Sequence, residues 1–160
     1  MSKVSMWLSC LVLLFLGVGI GRFLYLYSEK KSDPEKCTAP VVVFYQNTHT
    51  NLTLDFMYSM EKNTGVVSVN GTYYVDNKIA GVIRRDVSYA WSEHKDSTHF
   101  VSTKINKVTR DETLTDTVIA TILPDFYVYP GKEINYTILT QGHHGFIFTI
   151  GKRPIFLCSH

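Results

Sequence analysis

The chain has only three cysteines, at positions 10, 37 and 158, and no C-x-x-C spacing or Cys/His cluster accompanies any of them. The usual structural zinc sites need ligands at short, fixed offsets, so those spacings are excluded. The common catalytic signatures are missing as well. No G-x-S-x-G, H-E-x-x-H or P-loop occurs, and no G-x-G-x-x-G follows a strand pattern. A net charge of +2 with no dense basic run argues against a nucleic-acid binder. Repeats and low-complexity tracts are absent too. These gaps point away from an enzyme, a cofactor or a metal protein.

What the chain does have is a long apolar start. Met6 to Gly21, "MWLSCLVLLFLGVGIG", carries no charge, and after Arg22 the apolar character resumes in "FLYLY". Counted through Tyr27, this reaches the roughly 20 residues a helix needs to cross a bilayer. Two readings compete. A signal peptide would explain the short positive start and the small residues Gly17, Gly19 and Gly21. An uncleaved anchor better explains the length, the lack of an A-x-A site and the interfacial aromatics Phe23, Tyr25 and Tyr27. The anchor is the expectation: residues 1–27 as tip and transmembrane helix, 28–36 as a charged linker, and 37–160 as an exported domain. Lys and Arg do not decide the orientation, because Arg22, Lys30, Lys31 and Lys36 all follow the apolar run.

Cys37 and Cys158 bracket that domain. A disulfide between them would tie its termini together and would need an oxidising compartment. Two free buried thiols are the alternative. Cys10, within the apolar run, reads as a small apolar residue.

From residue 51 onward, period-two patterns dominate. In "NLTLDFMYSM", Leu52, Leu54, Phe56, Tyr58 and Met60 share one face. "VVSVNGTYYV", "IAGVIRRDVSYAW" and "THFVSTKINKV" follow, separated by the turn signals "EKNTG", "DNK" and "SEHKDS". In the second of these strands Ile83, Val87, Tyr89 and Trp91 line up, with Arg85 as the charged exception. The spacing predicts antiparallel hairpins. "RDETLTDTVIATILP" breaks the pattern: Leu114, Val118, Ile119 and Ile122 recur at helical spacing, and Pro124 ends the run. A β-branched strand is the rival reading of this segment. "EINYTIL", "GFIFTI" and "RPIFLC" close the chain. The expected fold is therefore mainly β, with α+β as the variant: an antiparallel meander or partly open barrel with one short helix.

Candidate sites are few. Arg85, Tyr89, Trp91 and Phe100 are the residues expected to line a ligand site in a barrel mouth. His143 and His144 adjoin at a hairpin tip, where polar residues belong and consecutive side chains diverge. His94 and His99 flank a turn without the companions zinc requires. Three sequons, at Asn51, Asn70 and Asn135, would matter only in a eukaryotic secretory pathway.

The early anchor, the cysteine soon after it, "GVVSVNG", "IAGVIRR", "LPDF" and the terminal "PIFLC" together resemble the FidL-like membrane proteins of enteric bacteria. In size and layout that family is similar to the ToxS-type periplasmic accessory proteins that accompany ToxR-like membrane-bound regulators. The resemblance implies an inner-membrane protein with a periplasmic domain that binds and modulates a membrane partner, with a small apolar ligand in addition. It carries over no functional residues, and the step from layout to role is analogy. A ligand-carrying barrel and a structural subunit of an envelope complex are the alternatives.

Overall fold

A computed structural model of the chain describes residues 16–22, 35–142 and 145–159. The chain divides into two compact units, Met1–Asp33 and Pro34–His160. In the first, residues 16–22 are helical and exposed. Among the described residues no helix is long and apolar enough to cross a membrane. The rest of the expected anchor over 1–27 lies outside the described residues, as does most of the linker over 28–36.

The second unit is a closed antiparallel barrel of eight strands in sequence order. They are β1 (Glu35–Tyr45), β2 (Thr48–Ser59), β3 (Thr64–Val75), β4 (Lys78–His94), β5 (Ser97–Lys107), β6 (Glu133–Thr140), β7 (Gly145–Ile150) and β8 (Arg153–Ser159). Helix α1 (Asp116–Ile122) and a 3-10 turn, Asp125–Tyr127, lie between β5 and β6. The segment that sequence left between helix and strand is thus helical in its second half. The barrel is closed where a meander or partly open barrel was the expectation, and closure confines unpaired strand edge in the wall largely to the β1–β8 seam.

Alternation sets the wall. Leu52, Leu54 and Phe56 of β2 and Ile83, Arg85, Val87 and Tyr89 of β4 are all buried, so the face assigned from periodicity is the inner one. Tight turns pin the register. Asp76 and Asn77 both have positive φ, 50° and 60°, the pattern of a two-residue hairpin whose twist matches its strands. Inward glycines leave room for large neighbours. A Cβ on Gly65 would overlap the Tyr89 ring, its register partner on β4. At Gly145, φ is +140° and a Cβ would strike the Cys158 carbonyl oxygen, so only glycine lets β7 begin so close to β8.

β1 was absent from the sequence reading, and it closes the barrel. Its register with β2 runs from Glu35↔Tyr58 to Tyr45↔Thr48, whereas with β8 it shares the single pair Thr38↔Ser159. The Cys37–Cys158 disulfide spans this seam, with Cα atoms 5.3 Å apart, and both cysteines are buried. The bridge is therefore both a terminal tie and a clip on the weakest junction of the wall.

The antiparallel order gives the barrel two distinct ends. One carries the β1–β2, β3–β4 and β7–β8 turns and the long excursion 108–132. The other carries the remaining turns, the start of β1 and the finish of β8. β4 outruns β5 at the first end, and the excursion folds onto its protruding edge: Val108 N–H donates to Arg84 O at 3.0 Å and Thr113 N–H to Val82 O at 3.1 Å. Ile119, Leu123, Phe126, Tyr127 and Val128 then bury themselves as a plug.

Candidate functional site

Arg85 was expected at the barrel mouth, and its place is the plugged end. It points inward with no exposure, and its guanidinium donates to Glu112 (Nη2–Oε1 2.5 Å, Nε–Oε2 2.9 Å) and to Asp116 (2.9 Å). Asp116 also receives Lys107 Nζ at 2.5 Å. Burial alone would lower the Arg85 pKa, but the hydrogen bonds and charges of Glu112 and Asp116 outweigh it and hold the pKa above its ordinary value. For Asp116 burial pulls upward, and the Lys107 and Arg85 contacts together hold its carboxyl below the usual value. Two cations meet two carboxylates here, so the cluster is charge-balanced and saturated. It is a structural network and leaves Arg85 no capacity for a ligand. Its partners lie 27 and 31 residues further along the chain.

The other three expected residues, Tyr89, Trp91 and Phe100, do come together. They line a cavity of about 340 Å³ near the opposite end of the barrel. Phe56, Phe146 and Phe148 complete the aromatic wall, Cys37 and Ile138 lie beside them, and Glu93, Thr98 and Thr140 supply the polar rim. The floor is solid: Phe126 of the plug meets Tyr89 and Phe100 with ring centroids 6.2 and 6.4 Å away. Below it the Tyr127 and Tyr136 hydroxyls pair at 3.1 Å. Burial raises the Tyr89 pKa well beyond its ordinary value and pushes Tyr136 up to about 12, so these phenols stay neutral across the physiological range.

One polar atom by the cavity is unaccounted for. Trp91 Nε1 is buried and has no hydrogen-bond partner among the described residues. An orphan donor of this kind costs about 1–3 kcal/mol. Sequence reasoning also missed Glu93, assigning it to the "SEHKDS" turn. β4 in fact runs on to His94, so Glu93 keeps the inward register of Tyr89 and Trp91.

Among the described residues the histidines do not add a second centre. His99 hydrogen-bonds the Asn135 side chain through Nδ1, and its Nε2 lies 3.5 Å from Glu133. Among the described residues no group of three or more metal-ligating side chains converges. His143 and His144 lie outside the described residues. Among the described residues, the cavity wall offers rings, hydroxyls and one carboxylate, and no histidine, lysine or arginine.

Fold and site together define a small antiparallel barrel, plugged at one end and hollow with aromatic walls at the other. The chain belongs to the YqeJ C-terminal domain family, whose pattern matches residues 34–158. It is similar to a protein of Escherichia coli (strain K12) named "Uncharacterized protein YqeJ", with 41% identity over 152 residues covering 92% of this chain and 95% of the relative. The likeness to FidL-like proteins rests on the chain's ends and spacing alone.

Proposed function

We propose that this is a non-catalytic binding protein whose barrel takes a small, mostly apolar molecule at its open end. The observation that carries this reading is the cavity. Barrels of eight strands are wide enough either to fill with side chains or to hold one small ligand. Here the plugged half is filled, and the other half keeps about 340 Å³ among aromatic side chains, at the lower end of the size range of small-ligand sites. The unpaired Trp91 N–H supports it, since an occupant with an acceptor would relieve that cost. The apolar run over Met6–Gly21 and the Cys37–Cys158 bridge support placement in a bacterial inner membrane, with the barrel in the periplasm.

The test is organic extraction of the purified full-length chain followed by mass spectrometry, beside an Ile138→Trp variant that fills the cavity. A small molecule recovered from the parent and lost from a folded variant is the expected result. Equal recovery from both would sink the reading.

A second reading, partner binding in the manner of the accessory proteins of ToxR-like regulators, is favoured by the β8–β1 seam. One register pair joins these strands, and among the described residues the only prolines within strands, Pro40 and Pro154, fall on them, as is usual for strands at an edge. Their outward side exposes Val42, Phe44, Ile155 and Leu157, with Phe44 at 77%. An extended strand from a partner's periplasmic domain would satisfy both the backbone edge and these side chains. A photo-cross-linker at Val42, compared with one at Thr72 on β3, tests it in cells. A discrete membrane-protein adduct from position 42 alone is expected; adducts from both or neither would refute it.

A further inference from the structure

The cavity's chemistry reaches further than its apolar character. Seven of its thirteen lining residues are aromatic, and the single charged one is Glu93. Aromatic faces carry negative potential, which attracts cations and repels anions. Glu93 adds a full negative charge at the rim, opposite Thr98 in the β4–β5 register, and forms no ion pair among the described residues. Among the described residues no base in the wall offsets it. The lysines on the neighbouring turns, Lys62 and Lys95, lie outside the wall, and each has an acidic neighbour in sequence, Glu61 and Asp96. At the far end, the positive charges of Arg85 and Lys107 are matched by Glu112 and Asp116. Among the described residues, the unpaired Trp91 N–H asks for an acceptor that a neutral hydroxyl or carbonyl supplies as well as an anion does, whereas two independent features, the aromatic faces and Glu93, favour a cation.

We propose that the cavity takes a compact amphiphile with an ammonium group, its apolar body among the rings and its cationic end at Glu93. This rests on the cavity being a ligand site at all. Taking the roughly 30 Å³ a water molecule occupies in the liquid as the yardstick, the space suits a body of about eleven heavy atoms. A small cyclic or short-chain amine has a body of that size.

Three probes of nearly equal shape separate the terms: 1-adamantanamine, 1-adamantanol and 1-adamantanecarboxylate. Each is titrated into the full-length chain in phosphatidylcholine nanodiscs. A Trp7→Phe background leaves Trp91 as the fluorescent reporter, because the chain has two tryptophans. The amine should bind roughly tenfold more tightly than the carboxylate, with the alcohol between them. In Glu93→Gln the amine's advantage over the alcohol should fall severalfold, while the alcohol's own affinity holds. If all three bind equally, or the carboxylate binds best, the cationic assignment is overturned and the apolar site stands. If none perturbs Trp91, both readings fail together.

Discussion

At the plugged end, a buried guanidinium, two carboxylates and a lysine are fixed by hydrogen bonds of 2.5–2.9 Å, under a helix and a 3-10 turn that seal the barrel. At the open end, aromatic rings surround empty space, and the wall is clipped by a disulfide and one strand pair. The charged network sits at one end, and the unfilled volume sits at the other, beside the disulfide and the single β1–β8 register pair. Each end has given up what the other has. A saturated network has no binding capacity left, and an unfilled cavity forgoes the contacts that packing would supply. On the proposed reading, stability and binding are segregated along one barrel axis, and this can be tested by damaging each end separately.

The largest effect is expected at the plugged end. Arg85→Met leaves Glu112, 4% exposed, as a buried carboxylate without its partner. Breaking such a pair from one side typically costs about 3–5 kcal/mol. The urea midpoint should drop accordingly, and the double variant Arg85→Met/Glu112→Gln should recover part of it. If the single and double variants melt alike, the network is not what holds the plug.

Next comes the clip. Replacing Cys37 and Cys158 with alanine opens a loop of 121 residues and should cost about 2–4 kcal/mol. The comparison adds a sharper expectation: the damage should be local to the open end. Hydrogen exchange should quicken in β1 and β8, while Val82 to Arg85 of β4, held by the excursion, remain protected. Uniform loosening of the barrel would contradict the division.

Sequence reasoning found these two ends unequally, for physical reasons. The inward faces of β2 and β4 were legible because one side is buried and period two records it. Tyr89, Trp91 and Phe100 follow from the same alternation, and the disulfide from two cysteines bracketing a domain. β1 was not legible. "TAPVVVFY" is apolar on both faces, since Val42 and Phe44 remain exposed while Ala39 is buried, so no alternation marks it. Arg85 was seen as an anomaly but assigned to the wrong end, because its partners arrive from an excursion with no period-two relation to β4. Glu93 was lost to a turn whose composition hid two further strand residues. The cavity itself is a volume that no residue type encodes.

A smaller effect separates packing from space at the open end. Gly65→Ala places a methyl against the Tyr89 ring and the Met57 carbonyl oxygen. Overpacking of this sort costs about 1–3 kcal/mol. Because Tyr89 borders the cavity, its ring can move into the empty volume. The Met57 carbonyl oxygen, 2.6 Å from the new methyl, yields less easily, so the stability loss should still fall within that range, and probe affinity should fall with it. A full loss of stability with unchanged affinity would mean that the ring moves elsewhere.

The smallest expected effect is in the acid response, which should belong to the plugged end. Asp116 is held below its ordinary value by Lys107 and Arg85 in spite of burial. A depressed folded-state pKa means that the unfolded chain binds the proton more readily. The carboxylate's contribution is therefore present above the unfolded value, near pH 4, and drains away as pH falls through the folded value. Asp116→Asn lacks that charge at every pH. It should be less stable than the parent at pH 7, and the gap should narrow steadily below about pH 4, as urea midpoints at successive pH values would record. Parallel curves for Asp116→Asn and the parent would show that the network's charge does not couple to folding. The two ends would then differ in packing alone.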